Sequence, residues 1–279
     1  MRNRSIFLMT ALILGFAFLY IPIFSLIFYS FNAARLATVW GGFSTKWYFE
    51  LFKNEQIIDA AILSLQIATV SATVATVFGT MAGIVLTRFG RFRGRTLFTG
   101  MITAPLVMPD VITGLSLLLL FVAMELTFGW PSGRGATTIG IAHITFSMAY
   151  VAVIVQSRLA AMDESLEEAA MDLGSRPFRV LIDITLPLIA PAMLAGWLLA
   201  FTLSLDDLVI ASFTSGPGAS TLPMVIYSKV RLGVTPDINA LATIIITVVT
   251  VGVIIAGIAM HRREKQRLRD MQMAASGNS

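Results

Sequence analysis

Six apolar runs, each of roughly 18 residues or more, leave this chain few ways to fold in water. They cover about Ile6–Phe31, Ile62–Thr87, Leu97–Phe128, Thr137–Val155, Leu186–Leu203 (with an apolar continuation toward Phe213) and Ala240–Met260. About 20 apolar residues cross a bilayer core as a helix. Of the 279 residues, 56% are hydrophobic and 13% charged, whereas a soluble domain carries about 25% charge. A soluble fold of this composition would expose large apolar surface. The expected fold class is therefore all-α: a polytopic membrane protein of six transmembrane helices. The first run is much longer than the roughly 7–15 residues of a signal-peptide core and no clear small-residue cleavage site closes it, so it reads as a retained anchor.

Orientation follows from the Lys and Arg residues. With six spans both termini share a side. On that side lie Arg2 and Arg4, then Arg88, Arg91, Arg93 and Arg95, then Arg158, Arg176 and Arg179, and finally Arg262, Arg263, Lys265, Arg267 and Arg269. The opposite side holds Arg35, Lys46, Lys53, Arg134, Lys229 and Arg231. The bias predicts cytoplasmic termini and a cytoplasmic segment between the fourth and fifth spans. The basic tail His261–Asp270 reads as a helix at the anionic lipid of the inner leaflet. No nucleic-acid partner is expected. The cysteine count is 0, which excludes disulfides, thiolate metal sites and thiol catalysis.

The segment between the fourth and fifth spans, about 158–187, is polar and patterned. Ser165-Leu166-Glu167-Glu168 has the form of a capping box, which predicts a short helix Leu166–Leu173 with Gly174 just past its end. Leu166, Ala169, Ala170 and Leu173 fall on one helical face, with Glu164, Glu167 and Asp172 largely displaced from it. Ser175-Arg176-Pro177 predicts the cap and first turn of a second short helix. Spacing alone leaves two readings open. The face packs under the chain's own spans, or it receives another protein.

Glu168-Ala169-Ala170, three residues, Gly174, nine residues, Ile184, one residue and Leu186-Pro187 resembles the loop by which membrane subunits of bacterial ABC importers grip their ATPase. Ala104-Pro105-Leu106-Val107-Met108-Pro109-Asp110-Val111-Ile112-Thr113-Gly114, Ser204-Leu205-Asp206-Asp207-Leu208-Val209-Ile210-Ala211-Ser212-Phe213, Phe89-Gly90-Arg91-Phe92-Arg93-Gly94 and Gly216-Pro217-Gly218 extend the likeness to polyamine permeases. Over nearly its whole length the chain is similar to the second permease subunit of putrescine importers. Spermidine permeases share much of the pattern. The resemblance implies a type I ABC importer permease fold, one permease domain over residues 1–279 with an anchor at about 6–31 and core helices at about 62–260. It implies an inner-membrane location, a sister permease, two copies of an ATPase and a periplasmic polyamine-binding protein. Leu166, Glu168, Ala169, Ala170, Leu173 and Gly174 would dock the ATPase. ATP and Mg would be bound by that partner, with no cofactor, metal or catalytic residue in this chain.

Acidic residues inside apolar runs are costly unless they face a partner or water. Asp110, Asp206 and Asp207 are therefore candidate substrate-path residues, since carboxylates make charge-assisted bonds to ammonium groups. Each also has a structural reading. Asp110 can cap the half-helix after Pro109, and Asp206 or Asp207 can cap a helix starting at Leu208. Adjacent residues diverge by about 100° on a helix, so both can face one ligand only if the backbone breaks. His143 is expected to bond across to a neighbouring helix, and Glu125 to be solvated. A secondary transporter would need a coupling-ion site and usually paired repeats, and no repeat is visible. An intramembrane enzyme has few His-based candidates, with only His143 and His261.

Overall fold

A computed structural model describes residues 2–35, 39–233 and 235–276. The described residues form helices joined by turns, with one isolated bridge, Asn32 to Phe43, and no strand. They group into two compact units, Met1–Glu55 with Ser228–Ser279, and Gln56–Tyr227.

The first unit holds α1 (Arg2–Ser30), α2 (Lys46–Leu51) and α12 (Pro236–Ser276), and both α1 and α2 pack on α12. After α1 the chain winds around the fully buried Asn32. Its side-chain amide donates to the carbonyl of Val39 at 2.7 Å, and its Oδ1 accepts from the backbone N–H groups of Ala34 and Gly41. Trp47 on α2 donates its indole N–H to the Asn32 carbonyl at 2.7 Å. One buried amide thus satisfies a loop that would otherwise carry orphan backbone groups.

The second unit contains α3 (Glu55–Arg88), α4 (Arg95–Val107), α5 (Asp110–Phe128), α6 (Ala136–Ala160), α7 (Ser165–Asp172), α8 (Pro177–Val180), a π-turn (Leu181–Thr185), α9 (Leu186–Asp206), α10 (Val209–Thr214) and α11 (Leu222–Leu232), with the first residue of α3 and the last residues of α11 falling in the first unit. Its core joins α3, α6 and α9 through Ala72, Ala75, Val151, Val155, Ile189 and Ala200. Small residues set the approach. A Cβ on Gly79 would lie 2.7 Å from the Val151 Cβ, and one on Gly196 3.3 Å from a Val151 methyl. Lipid tails are as apolar as leucine, so such spans are held by close backbone packing rather than by exclusion of water.

Five described helices are long and apolar enough to cross a membrane: Ile6–Ser30, Glu55–Arg88, Asp110–Phe128, Ala136–Ala160 and Pro177–Asp206. The sixth expected run, about 240–260, falls inside α12, where Pro236–Gly252 is apolar among the described residues. Large apolar side chains stand outward along these helices, Phe18 at 81% and Leu126 at 83% exposure. That surface needs lipid or a partner chain.

Two expected spans are divided. The third separates into α4 and α5, and the chain is extended at Met108 and Pro109. Pro105 lies inside α4 without ending it, so Pro109 marks the interruption. The fifth breaks at Asp207, which is extended, before α10 begins.

Candidate functional site

The predicted docking helix is present as α7, but its start is built differently. No side-chain cap is formed by Ser165 with Glu168. Instead the Asp163 carboxylate accepts from the backbone N–H of Ser165 at 3.0 Å. Bonds from the Ser165 backbone and side chain hold this exposed carboxyl below its usual range. Asp163 thereby takes the Ser165 N–H that the Glu168 carboxylate would have accepted from, while the Glu168 N–H goes to the Glu164 carbonyl at 3.1 Å. The end is as predicted. Gly174 has φ +88°, its N–H reaches the carbonyl of Met171 at 2.9 Å, and the N–H of Ser175 reaches that of Ala170 at 3.1 Å. This is the Schellman arrangement, which a left-handed glycine permits.

Arg176 is then extended and Pro177 opens α8. The π-turn carries the chain into α9, and the N–H of Leu186 reaches back to the carbonyl of Leu181. Leu166, Ala169, Leu173 and Gly174 are exposed and Ala170 is half-buried. Leu173 is 88% exposed, and Phe178, which the sequence reading did not single out, is 72% exposed. The Glu168 carboxylate is exposed, and no hydrogen bond or ion pair to it is found among the described residues. Glu164 and Glu167, expected to stand away from the packing face, turn instead onto Arg88 at the end of α3, at 2.6 and 2.9 Å. Charge signs offered a signal for this pairing, but four arginines between 88 and 95 offered four partners.

The three candidate carboxylates have different surroundings. Asp207 accepts from the backbone N–H groups of Ile210 at 3.2 Å and Ala211 at 2.7 Å, capping α10. It also meets His143 Nε2 at 3.1 Å, while His143 Nδ1 lies 2.6 Å from the Ser204 hydroxyl. Ser71 on α3 extends the chain to Ser204 at 3.1 Å. This buried network ties α3, α6 and α9 to the start of α10. Asp206 is exposed, as is Asp110 at the first position of α5. Neither makes a side-chain hydrogen bond or ion pair to another described residue. The break therefore separates the adjacent pair, with Asp207 turned into the protein and Asp206 left outside it. Gly114 on α5 lets α10 approach, since a Cβ there would meet Phe213 at 2.8 Å and the Ile210 Cα at 3.3 Å. Asp110 precedes Gly114 by four residues, and Asp206 precedes Ile210 by four. Glu125 is exposed, yet accepts from the Gly133 N–H at 2.9 Å and closes the α5–α6 turn. No cluster of His, Asp and Glu suited to a metal occurs among the described residues.

Comparison with known proteins gives four likenesses. The family model described as binding-protein-dependent transport system inner membrane component matches residues 75–270. The chain is 60% identical over 274 residues to the putrescine transport system permease protein PotI of Escherichia coli strain K12, covering 98% of each. It is 42% identical over 257 residues to the spermidine/putrescine transport system permease protein PotC of the same strain, covering 92% of this chain and 95% of PotC. Among solved structures, a bacterial ABC transporter involved in the import of alginate superposes with a TM-score of 0.72 at 18% identity, over 94% of this chain and 96% of that one.

Proposed function

The chain belongs to the family of inner membrane components of binding-protein-dependent transport systems, and from that membership we propose that it is a permease subunit of an ATP-driven polyamine importer whose cargo is putrescine. The observation that carries the cargo is 60% identity, end to end, with a putrescine permease, against 42% with a spermidine/putrescine one. ATP and Mg are bound by two copies of a cytoplasmic ATPase, not by this chain. A sister permease completes the translocation path, and a periplasmic binding protein delivers the polyamine. Both termini face the cytoplasm, in keeping with the distribution of Lys and Arg.

In this reading α7 and α8 seat in the ATPase. An exposed apolar set on a capped surface helix is a suitable dock, and Glu168 is free to meet a partner's cation. On the substrate path Asp206 and Asp110 offer carboxylates to ammonium groups, whereas Asp207 holds α10 in place.

The test is uptake of labelled putrescine by proteoliposomes holding the two permeases and the ATPase, with binding protein outside and ATP inside. Uptake should require ATP and binding protein, and excess spermidine should compete far less than excess putrescine. Uptake driven by a proton gradient without ATP would overturn the importer reading, and equal competition would overturn the cargo.

A further inference from the structure

Three elements of the second unit meet at one carboxylate. Arg88, the last residue of α3, is 14% exposed at its side chain and pairs with both Glu164 and Glu167 of the α7 region. The contact to Glu167 Oε2 lies off the hydrogen-bond line and acts through charge. The other oxygen of Glu167 accepts from the Thr185 hydroxyl at 2.7 Å. Thr185 is 4% exposed and ends the π-turn at the foot of α9. Glu167 itself is 13% exposed at its side chain. Next to this cluster is a cleft of about 550 Å³, lined in part by Phe89, Met171 and Phe178.

We propose that Arg88, Glu167 and Thr185 form a transmission joint that makes α7 move together with the end of α3 and the foot of α9. The inference rests on the importer reading for its biological use. Without the joint, α7 is fastened to the spans through its flanking turns and the packing of α8 and the π-turn. No side chain of α7 proper is buried, so hydrophobic packing does little to fix it. A shielded ion pair resists solvent screening better than an exposed one, and a carboxylate shared by a guanidinium and a hydroxyl fixes two directions at once. The π-turn adds a place where the ladder is already loosened, a feature frequent at functional sites. Displacement of α7 then reaches the second span through Arg88 and the fifth through Thr185. Arg88 and Thr185 are positioning residues, remote from substrate and from ATP.

The test uses the complete complex. Arg88→Gln removes the charge and Thr185→Val removes only the hydroxyl. Both should lower putrescine transported per ATP hydrolysed, by roughly 2- to 30-fold, the range by which residues along a coupling route alter coupling. ATP hydrolysis and assembly should persist. Exchanging the charges, Arg88→Glu with Glu167→Arg, should recover transport lost in Arg88→Glu alone. A second measurement needs no transport. Spin labels at Phe89→Cys and Met171→Cys should give one narrow distance distribution, and Arg88→Gln should broaden it. Unchanged distance widths together with wild-type transport per ATP in Arg88→Gln and Thr185→Val would overturn the joint. A wild-type complex that ignores ATP would overturn the importer reading, while the distance widths would still decide the joint.

Discussion

Asp206 and Asp207 are adjacent in sequence, yet the structure predicts opposite consequences for replacing each by Asn. Asp207 carries two backbone N–H groups and the His143 ring. In Asp207→Asn the single amide oxygen can keep Ala211 and His143, but the NH2 group then faces the Ile210 N–H, donor against donor. The charge at the start of α10 is lost as well. Losing a cap costs about 0.5–2 kcal/mol, and leaving a buried group unsatisfied about 1–3 kcal/mol. The expected loss for Asp207→Asn is therefore about 1–3 kcal/mol, and for Asp207→Ala about 2–5 kcal/mol. Domain stabilities are only about 5–15 kcal/mol. Asp206 supports no other described residue through its side chain, so Asp206→Asn should stay within about 0.5 kcal/mol of wild type. Its effect should appear in transport. One charge-assisted bond, about 1.5–3 kcal/mol, corresponds to roughly 10- to 150-fold if felt fully in the rate-limiting step. Denaturation of the purified subunit in detergent reads the first quantity. Proteoliposome uptake at saturating binding protein, with ATP hydrolysis followed in the same vesicles, reads the second. Wild-type putrescine transport by Asp206→Asn would refute its place on the path, and an unchanged midpoint for Asp207→Asn would refute the cap.

Gly174→Ala should strain the left-handed turn by about 1–2 kcal/mol and weaken co-purification with the ATPase, while Gly174→Asp should abolish uptake with membrane insertion intact. Glu168→Ala should leave folding unchanged, because no intrachain partner is lost, but should lower ATPase association in pull-downs. Single cysteines are clean probes in a chain that has none. An impermeant maleimide applied to intact cells should label position 133 or 218 and spare position 174. Gly114→Ala should cost about 1–3 kcal/mol by overpacking α5 against α10, measured by the same denaturation and partly relieved by Phe213→Leu.

The helical class and most span positions were legible because a long apolar run has one stable form in lipid. The Gly174 turn was legible because few residues other than glycine tolerate φ +88°. Other features depended on tertiary competition that local spacing does not encode. Ser165 and Glu168 fit a capping box, yet Asp163 took the bond. At the start of α11 the N–H of Leu222 goes to the Ser64 hydroxyl on α3 at 2.7 Å, a partner 158 residues away in sequence. Pro105 and Pro109 each remove a backbone donor from the third run. Helix α4 accommodates Pro105, and the extended backbone falls at Met108 and Pro109. His143 was expected to bond to a neighbouring helix and does so, but its partners, Ser204 and Asp207, decide which carboxylate remains available. That followed only from knowing that the backbone breaks at Asp207.

The two breaks are sealed by different means, and the difference limits what the proposed path can offer. Non-helical backbone at membrane depth is tolerated only where protein covers it or water reaches it. At the start of α10, Asp207 accepts from two of the freed N–H groups, those of Ile210 and Ala211, so that carboxylate is committed to structure. At the start of α5, the carbonyl of Pro109 accepts from Ile112 and Thr113, and the proline nitrogen has no N–H to satisfy. Asp110 is thereby released from capping, although its charge still suits the positive end of the helix. Each interrupted helix thus presents one uncommitted carboxylate, Asp206 or Asp110. A diammonium cargo passing these breaks would find two anionic contacts on this chain, not the three that counting acidic residues suggests. Neutralising both should therefore reduce transport more than either single change, provided that the two engage the same passing cation.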